Sequence, residues 1–251
     1  TTLDLDGDSV LPNEEVITNV SIQSATDKDA STTADVATYE NEIEILSPVA
    51  GTPGSGDGFR ESNYKIDYVS GNLTINRREI TLTASGQEKI YGDELILDDT
   101  AFSTTDLDGD SVLPNGEVIT NVSIQSATDK DASTTADVAT YENEIEILSP
   151  VAGTPGSGDG FRESNYKIDY VSGNLTINRR EITLTASGQE KIYGDELILD
   201  DTAFSTTDLD GDSVLPNGEV ITNVSIQSAT DKDASTTADV ATYENEIEIL
   251  S

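Results

Sequence analysis

The phrase Leu5-Asp-Gly-Asp-Ser-Val-Leu-Pro12 returns at 107–114 and again at 209–216, an interval of 102 residues each time. The repetition is close to complete. Residues 49–102 are identical to 151–204 and residues 103–149 to 205–251, and the first copy departs from the second only at Thr1/Ser103, Leu3/Thr105 and Glu14/Gly116. Solenoid units of about 20–50 residues cannot bury a core alone. A period of this length instead matches an independently folding domain of about 100–150 residues. The chain therefore reads as modules in series: residues 1–77 a partial module lacking its first strands, 78–179 a complete one, and 180–251 a partial one lacking its last strands. Copies this alike have not diverged into separate sites, so number and length are what the repetition supplies.

Composition narrows the partners. The chain has 13 basic and 49 acidic side chains and a formal charge of −36. Binding to phosphate backbones or anionic lipid needs clustered Lys and Arg, so neither nucleic acid nor membrane insertion is expected. Only 35% of residues are apolar, which with such charge pulls a chain toward disorder. The apolar residues are nevertheless Leu or β-branched and fall in short alternating runs, which favours folding, more firmly where salt or divalent cations screen the charge. Cys, Met, Trp and His are absent, so no disulfide helps. No apolar window of about 18 residues could span a bilayer. The sequence begins in mid-repeat, and a targeting signal is expected to lie outside it.

The alternation predicts strands. Ile80, Leu82 and Ala84 share one face, as do Val118, Thr120, Val122 and Ile124. Lys89–Tyr91 and Leu95–Leu97 flank a Gly92-Asp93 turn. Tyr141 to Leu148 alternates through Tyr141, Asn143, Ile145 and Ile147, with a short helix as the alternative. Asn165 to Val171 places Tyr166, Ile168 and Tyr170 together. Ser172-Gly173 then signals a two-residue hairpin into Asn174–Ile177. Residues 106–110, 129–137 and 150–160 read as loops. About seven short strands per repeat and no long helix give an all-β class: β-sandwich-like modules, immunoglobulin-like or β-grasp-like. The junction 175–184 holds no flexible spacer, so the modules are expected to form a semi-rigid rod, with Arg179 and Arg180 pairing to carboxylates of the neighbouring repeat.

Three phrases carry a resemblance. Asn165-Tyr-Lys-Ile-Asp-Tyr-Val-Ser-Gly-Asn-Leu-Thr-Ile177, Ile182-Thr-Leu-Thr-Ala186 and Lys191-Ile-Tyr-Gly-Asp195 follow in that order. Together they resemble the MBG domain of the Tyr-Gly-X type, a repeat module of very large bacterial secreted and surface adhesin-like proteins. The resemblance covers both ends of the repeat and implies a β-rich module, a cell-surface location and a spacer or adhesive role. It implies no catalytic residues. The chain departs from it in extra acids around 106–110 and in a longer Gly/Pro loop at 150–160.

One chemical constellation stands out. Asp106, Asp108, Asp110 and Glu117 occupy positions 1, 3, 5 and 12 of a window with EF-hand ligand spacing. Asp4, Asp6, Asp8 and Glu15 repeat it in the first copy, and Asp208, Asp210, Asp212 and Glu219 in the third. The match is partial: Ser111 stands at position 6, Pro114 at position 9, and no flanking helices are expected. Ca²⁺ held by these oxygens and a solvated Asp/Gly turn remain the two readings. Tyr91, Phe102, Tyr166 and Tyr170 read as core rather than as a sugar platform. Without His or Cys there is no imidazole base and no thiolate nucleophile, so no enzyme is expected. The expected role is the extender of an extracellular bacterial surface adhesin, its partners being adjacent repeats. The alternative is a module that itself binds, or that joins identical chains into a fibre by strand complementation.

Overall fold

A computed structural model describes residues 11, 15, 17–50, 59–106, 108–152, 160–208 and 210–250. Fourteen strands appear among them and nothing helical beyond single 3-10 turns. The first repeat contributes β1 (Ile17–Ser24), β2 (Ala37–Ala50) and β3 (Gly71–Ile75). The second contributes β4 (Arg78–Ala84), β5 (Gln87–Ile90), β6 (Phe102–Asp106), β7 (Ile119–Ser126), β8 (Thr140–Ala152), β9 (Tyr166–Val171) and β10 (Gly173–Asn178). The third contributes β11 (Ile182–Ala186), β12 (Phe204–Asp208), β13 (Ile226–Ser228) and β14 (Ile247–Ile249). The all-β class is as read from the sequence.

Compact units and repeats do not coincide. One unit comprises Thr1–Leu82, Thr104–Asn121 and Pro150–Asp169; the other comprises Thr83–Ser103, Val122–Ser149 and Tyr170–Ser251. The first unit holds the sheet β1-β2-β3 and most of a sheet ordered β6-β4-β9. Its buried side chains include Ile80, Leu82, Leu113, Ile119, Phe161 and Tyr166. The Phe161 and Tyr166 rings stack 5.0 Å apart, as Phe59 and Tyr64 do at 5.2 Å. The second unit holds β11-β12, β13-β14 and most of a sheet ordered β5-β10-β8-β7. Val122, Ile145, Ile147, Leu175 and Ile177 are buried there. Removing such a side chain from water is worth about 1.5–3 kcal/mol.

β4 behaves as its alternation demands, with Ile80, Leu82 and Ala84 buried and the residues between them not. The other strands depart in instructive ways. Ile119 and Val122 are the apolar residues that β7 buries, while Val118 and Thr120 are exposed. Phe102 to Asp106, whose last residue reads as the start of a loop, is strand β6; Leu95 to Leu97, read as strand, is irregular, and Ile96 is exposed. β9 and β10 do not form the expected hairpin, because they belong to different sheets. β10 instead runs parallel to β5, Leu175 opposite Gln87 through Asn178 opposite Ile90, and antiparallel to β8. Tyr166 is buried, whereas Tyr170 is exposed.

β8 carries the largest departure. Ile145 faces Gly173 and Tyr141 faces Leu175, so the strand holds more residues than its partner across this stretch. Asn143 takes up the bulge in the left-handed region at φ 56°, which Asn tolerates better than most residues. It lies exposed rather than on the buried face. The bulge also turns Glu144 inward, to 4% exposure. Its carboxylate accepts hydrogen bonds from the Ser126 hydroxyl, from the Thr128 N–H at 2.9 Å and from the Thr128 hydroxyl, so it organises the 127–139 loop. The same arrangement recurs at Glu42 with Ser24 and Thr26 and at Glu246 with Ser228 and Thr230. These hydrogen bonds hold Glu42 and Glu246 at about 2, led by the Ser24 and Ser228 hydroxyls, well below the usual Glu value of about 4.3. Glu144 is also lowered, its hydrogen bonds outweighing burial, which is the largest single effect on it and acts upward.

Two predictions follow from this geometry. A carboxyl depressed on folding stabilises fully above its ordinary value and loses that contribution as pH falls through the folded one. The chain with Glu42, Glu144 and Glu246 all changed to Gln is therefore less stable than wild type at neutral pH. The difference in melting temperature shrinks between pH about 4.3 and about 2, as thermal denaturation followed by circular dichroism will show. Separately, a Cβ on Gly173 would sit 2.6 Å from the Ser85 carbonyl oxygen, whereas on its repeat equivalent Gly71 it would meet only Ile43, at 3.7 Å. Gly173→Ala should cost about 1–3 kcal/mol by overpacking, and Gly71→Ala under about 0.5 kcal/mol, in urea denaturation.

Candidate functional site

The acidic loops organise themselves around an arginine. In the second repeat the Asp106 carboxylate accepts the N–H groups of Asp108 at 3.0 Å and Asp110 at 2.9 Å on one oxygen. Its other oxygen takes the Arg78 guanidinium. The Arg78 contact, with the loop N–H groups, holds Asp106 below the usual carboxylate range and raises Arg78 in turn. The third repeat copies this. Asp208 accepts the N–H groups of Asp210 and Asp212, and Arg180 reaches Asp208 and Asp210, both at 3.2 Å. The Asp212 N–H is the leading cause that lowers Asp208.

The glutamates at position 12 of each window lie on other partners. Glu117 accepts the Arg162 N–H at 3.1 Å and the Tyr166 hydroxyl; burial first, then this hydrogen bond, raises Tyr166. Glu15 accepts the Arg60 N–H and the Tyr64 hydroxyl. Glu219 accepts the Tyr91 hydroxyl at 2.7 Å, and that bond raises Tyr91. Asp4, Asp6 and Asp8 lie outside the described residues. Among the described residues no group of three or more acidic or other metal-ligating side chains is arranged to hold a metal ion.

What these residues do bring together is the junction between repeats. Within the second unit, Arg180 makes a third contact, to Asp93 of the preceding repeat at 3.0 Å. Its side chain is 12% exposed, against 45% for Arg78. Tyr91 reaches Glu219 of the following repeat, and the Asn217 side-chain amide donates to the Thr134 carbonyl at 2.9 Å. Gly92, at φ +94°, lies so close to Pro216 that a Cβ would stand 2.5 Å from its ring carbons. Within the first unit the equivalent amide, on Asn115, donates to the Thr32 carbonyl at 2.7 Å. There Arg162 also reaches Asp35 at 3.0 Å, and Asn165 donates to Asp35 and accepts the Val36 N–H. Asn115 and Asn217 both adopt the left-handed conformation, at φ 59° and 58°, which aims each side chain back at the neighbouring repeat. Arg179 lines a depression of about 250 Å³ at this junction, with Tyr91, Ile182 and Pro216.

The sequence singles out the arginines and the acids, but it reads Gly92-Asp93 as a turn and Tyr91 as core, not as a contact to the following repeat. The signal available was that a rigid aromatic, a glycine and an acid sit together in every such turn. Neither a protein-family model, nor a curated protein, nor a solved structure matches the chain.

Gly194 occupies the position of Gly92 one repeat later, at φ +96°, with nothing within 4 Å of an added Cβ. The two glycines thus share a backbone conformation that L side chains rarely adopt and differ in packing. Gly92→Ala should destabilise by about 1–3 kcal/mol more than Gly194→Ala, read by urea denaturation of each variant. Arg180 offers a parallel contrast. Its removal strands Asp208, whose side chain is 3% exposed, so Arg180→Met should cost about 3–5 kcal/mol. Asp93→Asn, at a partly exposed pair, should cost under about 1 kcal/mol.

Proposed function

We propose that the chain is an extender: tandem β-sandwich-like repeats forming a semi-rigid stalk of a large secreted bacterial surface adhesin, to whose MBG-type modules its sequence bears resemblance. The observation that carries this reading is the junction. The amide-to-carbonyl contact of Asn115 with Thr32 recurs, 102 residues on, as Asn217 with Thr134, and Arg180, Gly92 and Tyr91 add a side-chain latch beside it. A contact repeated at the sequence period is what a stalk needs and what a flexible tether would lack. The absence of His and Cys and the near-identity of the copies agree with a role in which length matters more than chemistry. Rigidification by Ca²⁺ is a separable part of the proposal, resting on the 1-3-5 spacing of the acids. Melting curves in chelator and in millimolar Ca²⁺ decide it.

Small-angle scattering tests the stalk. An acidic flexible chain contracts when the screening length falls from about 30 Å to about 3 Å between 0.01 M and 1 M salt. A latched series of repeats should keep its radius of gyration across that range. The double variant Gly92→Ala/Asp93→Asn should broaden the distance distribution while circular dichroism stays that of wild type. A wild-type chain that contracts steadily with salt would remove the stalk.

A further inference from the structure

Asn-Gly pairs occur in the sequence at Asn115-Gly116 and Asn217-Gly218. Each is the centre of a tight turn. Asn115 at φ 59°, ψ 15° and Gly116 at φ 70° give the type I′ pattern, closed by the Glu117 N–H on the Pro114 carbonyl at 3.1 Å. Asn217 at φ 58°, ψ 16°, Gly218 at φ 73° and the Glu219 N–H on the Pro216 carbonyl at 3.1 Å repeat it. Both central positions need positive φ, which accounts for the residue types. The turn alone does not call for the asparagine amides to reach a neighbouring repeat, as they do.

Asn-Gly is also the dipeptide most open to self-modification. The nitrogen of the following residue attacks the asparagine Cγ and closes a five-membered succinimide ring. The N–Cγ bond forms, the Cγ–Nδ2 bond breaks, and the amide leaves as ammonia with the proton that the backbone nitrogen gives up. Water then opens the ring at one of its two carbonyls, giving Asp or an isoaspartyl link that runs through the β-carbon. A side chain on the following residue crowds the attack, and glycine has none. Nothing lies within 4 Å of a Cβ built on Gly116 or Gly218, and Asn115 and Asn217 are exposed. The chain holds its own contrasts. Asn41, Asn143 and Asn245 share the left-handed conformation, at φ 58°, 56° and 56°, but precede Glu42, Glu144 and Glu246. In the first copy Glu14 follows Asn13 where the other copies have glycine.

The closed turn withholds the reaction. At ψ 15° the Gly116 nitrogen is rotated away from the Asn115 β-carbon. Ring closure needs the two brought together, which turns the peptide over and breaks the Glu117–Pro114 hydrogen bond. The amides are held as well. Asn115 donates to the Thr32 carbonyl at 2.7 Å, and Asn217 to the Thr134 carbonyl at 2.9 Å and the Tyr91 hydroxyl at 3.4 Å. The product cannot remake these bonds. An ionised carboxylate donates nothing, and it would face the carbonyl oxygen of Thr32 or Thr134. At position 217 it would also meet a Tyr91 hydroxyl whose proton already goes to Glu219.

We propose that Asn115 and Asn217 are self-deamidation sites gated by the latch between repeats. A closed latch protects the asparagine, an opening exposes it, and conversion makes the opening permanent. Water is the one co-reactant. The gate depends on the latch geometry and not on the stalk reading.

Peptide mapping by mass spectrometry of the 251-residue chain, aged at mildly alkaline pH, tests the gate. Asn115 and Asn217 should convert to Asp and isoaspartyl forms, at least about tenfold more slowly in the folded chain than in urea, while Asn13 and Asn143 stay asparagine. Gly92→Ala, which presses on Pro216 beside Asn217, should speed conversion at Asn217 severalfold and leave Asn115 at the wild-type rate. Where Gly92→Ala speeds both sites by loosening the whole chain, Tyr91→Phe decides, and it should speed Asn217 alone. Equal rates in buffer and in urea overturn the gate, as does an Asn217 rate that neither variant changes. Conversion of Asn13 or Asn143 as fast as Asn115, or none at all in the folded chain, overturns the sites. These rates are read without scattering, so the stalk and the gate fail separately.

Discussion

A chain with 49 acidic and 13 basic side chains has far more carboxylates than cations to pair them. Its fold depends on how it uses the carboxylates it buries. They serve chiefly as hydrogen-bond acceptors for backbone N–H groups. Glu144 gathers the 127–139 loop, Asp106 gathers its own loop, and Glu117 ties Arg162 by its N–H. A charged acceptor makes stronger hydrogen bonds than a neutral one, and a loop so held leaves few N–H groups without partners. The scarce arginines go where a buried carboxylate has an oxygen left over, as Arg78 and Arg180 do at Asp106 and Asp208. A chain whose acids were only surface charge would repel itself. Here part of that charge is the frame on which the loops close.

Identical sequence in different surroundings separates local from non-local causes. Ile80 and Ile182 occupy the same strand position, yet one is 2% exposed and the other 42%. β10 buries Leu175 and Ile177 between two partners, while β3, with the same residues, has one partner and leaves them half-buried. The Glu-centred loops, by contrast, form alike in all three repeats, and so do the Lys–Tyr contacts of 5.5 Å beside them. What lies within some twenty residues of sequence forms regardless of context; what joins the ends of a repeat depends on both ends being there.

That division also explains how much was legible beforehand. The strand class and the buried face of β4 follow from period-2 alternation, which is local. The bulge at Asn143 was hidden because its cause is Glu144 reaching for Ser126 across a loop, a polar preference that alternation does not record. β6 was hidden because Phe-Ser-Thr-Thr-Asp has one large apolar residue, and its burial comes from Asp106 meeting an arginine 28 residues away. The β9–β10 hairpin failed since Ser172-Gly173 is a turn signal that says nothing about which sheet each strand joins. At the candidate site the arginines and acids were recognisable by type. Their arrangement was not, since the 1-3-5 spacing is the same whether the oxygens face a cation, a guanidinium or their own backbone.

The parallel pair of β5 with β10 sets the order in which a repeat can close. Gln87 lies 88 positions before its partner Leu175, and a loop of that size must be paid for in chain entropy before the pairing returns anything. The antiparallel pairing of β8 with β10 is far more local, at 28 to 36 residues, and the Glu144 loop more local still. Local loops therefore precede the pairing of β7 with β8, and β10 arrives last to lock β5 against β8. Until it does, Leu175 and Ile177, which end at 0% and 1% exposure, stay in water. The acidity of the chain has a second consequence in that interval, because like charge keeps neighbouring chains apart while β10 is still unpaired.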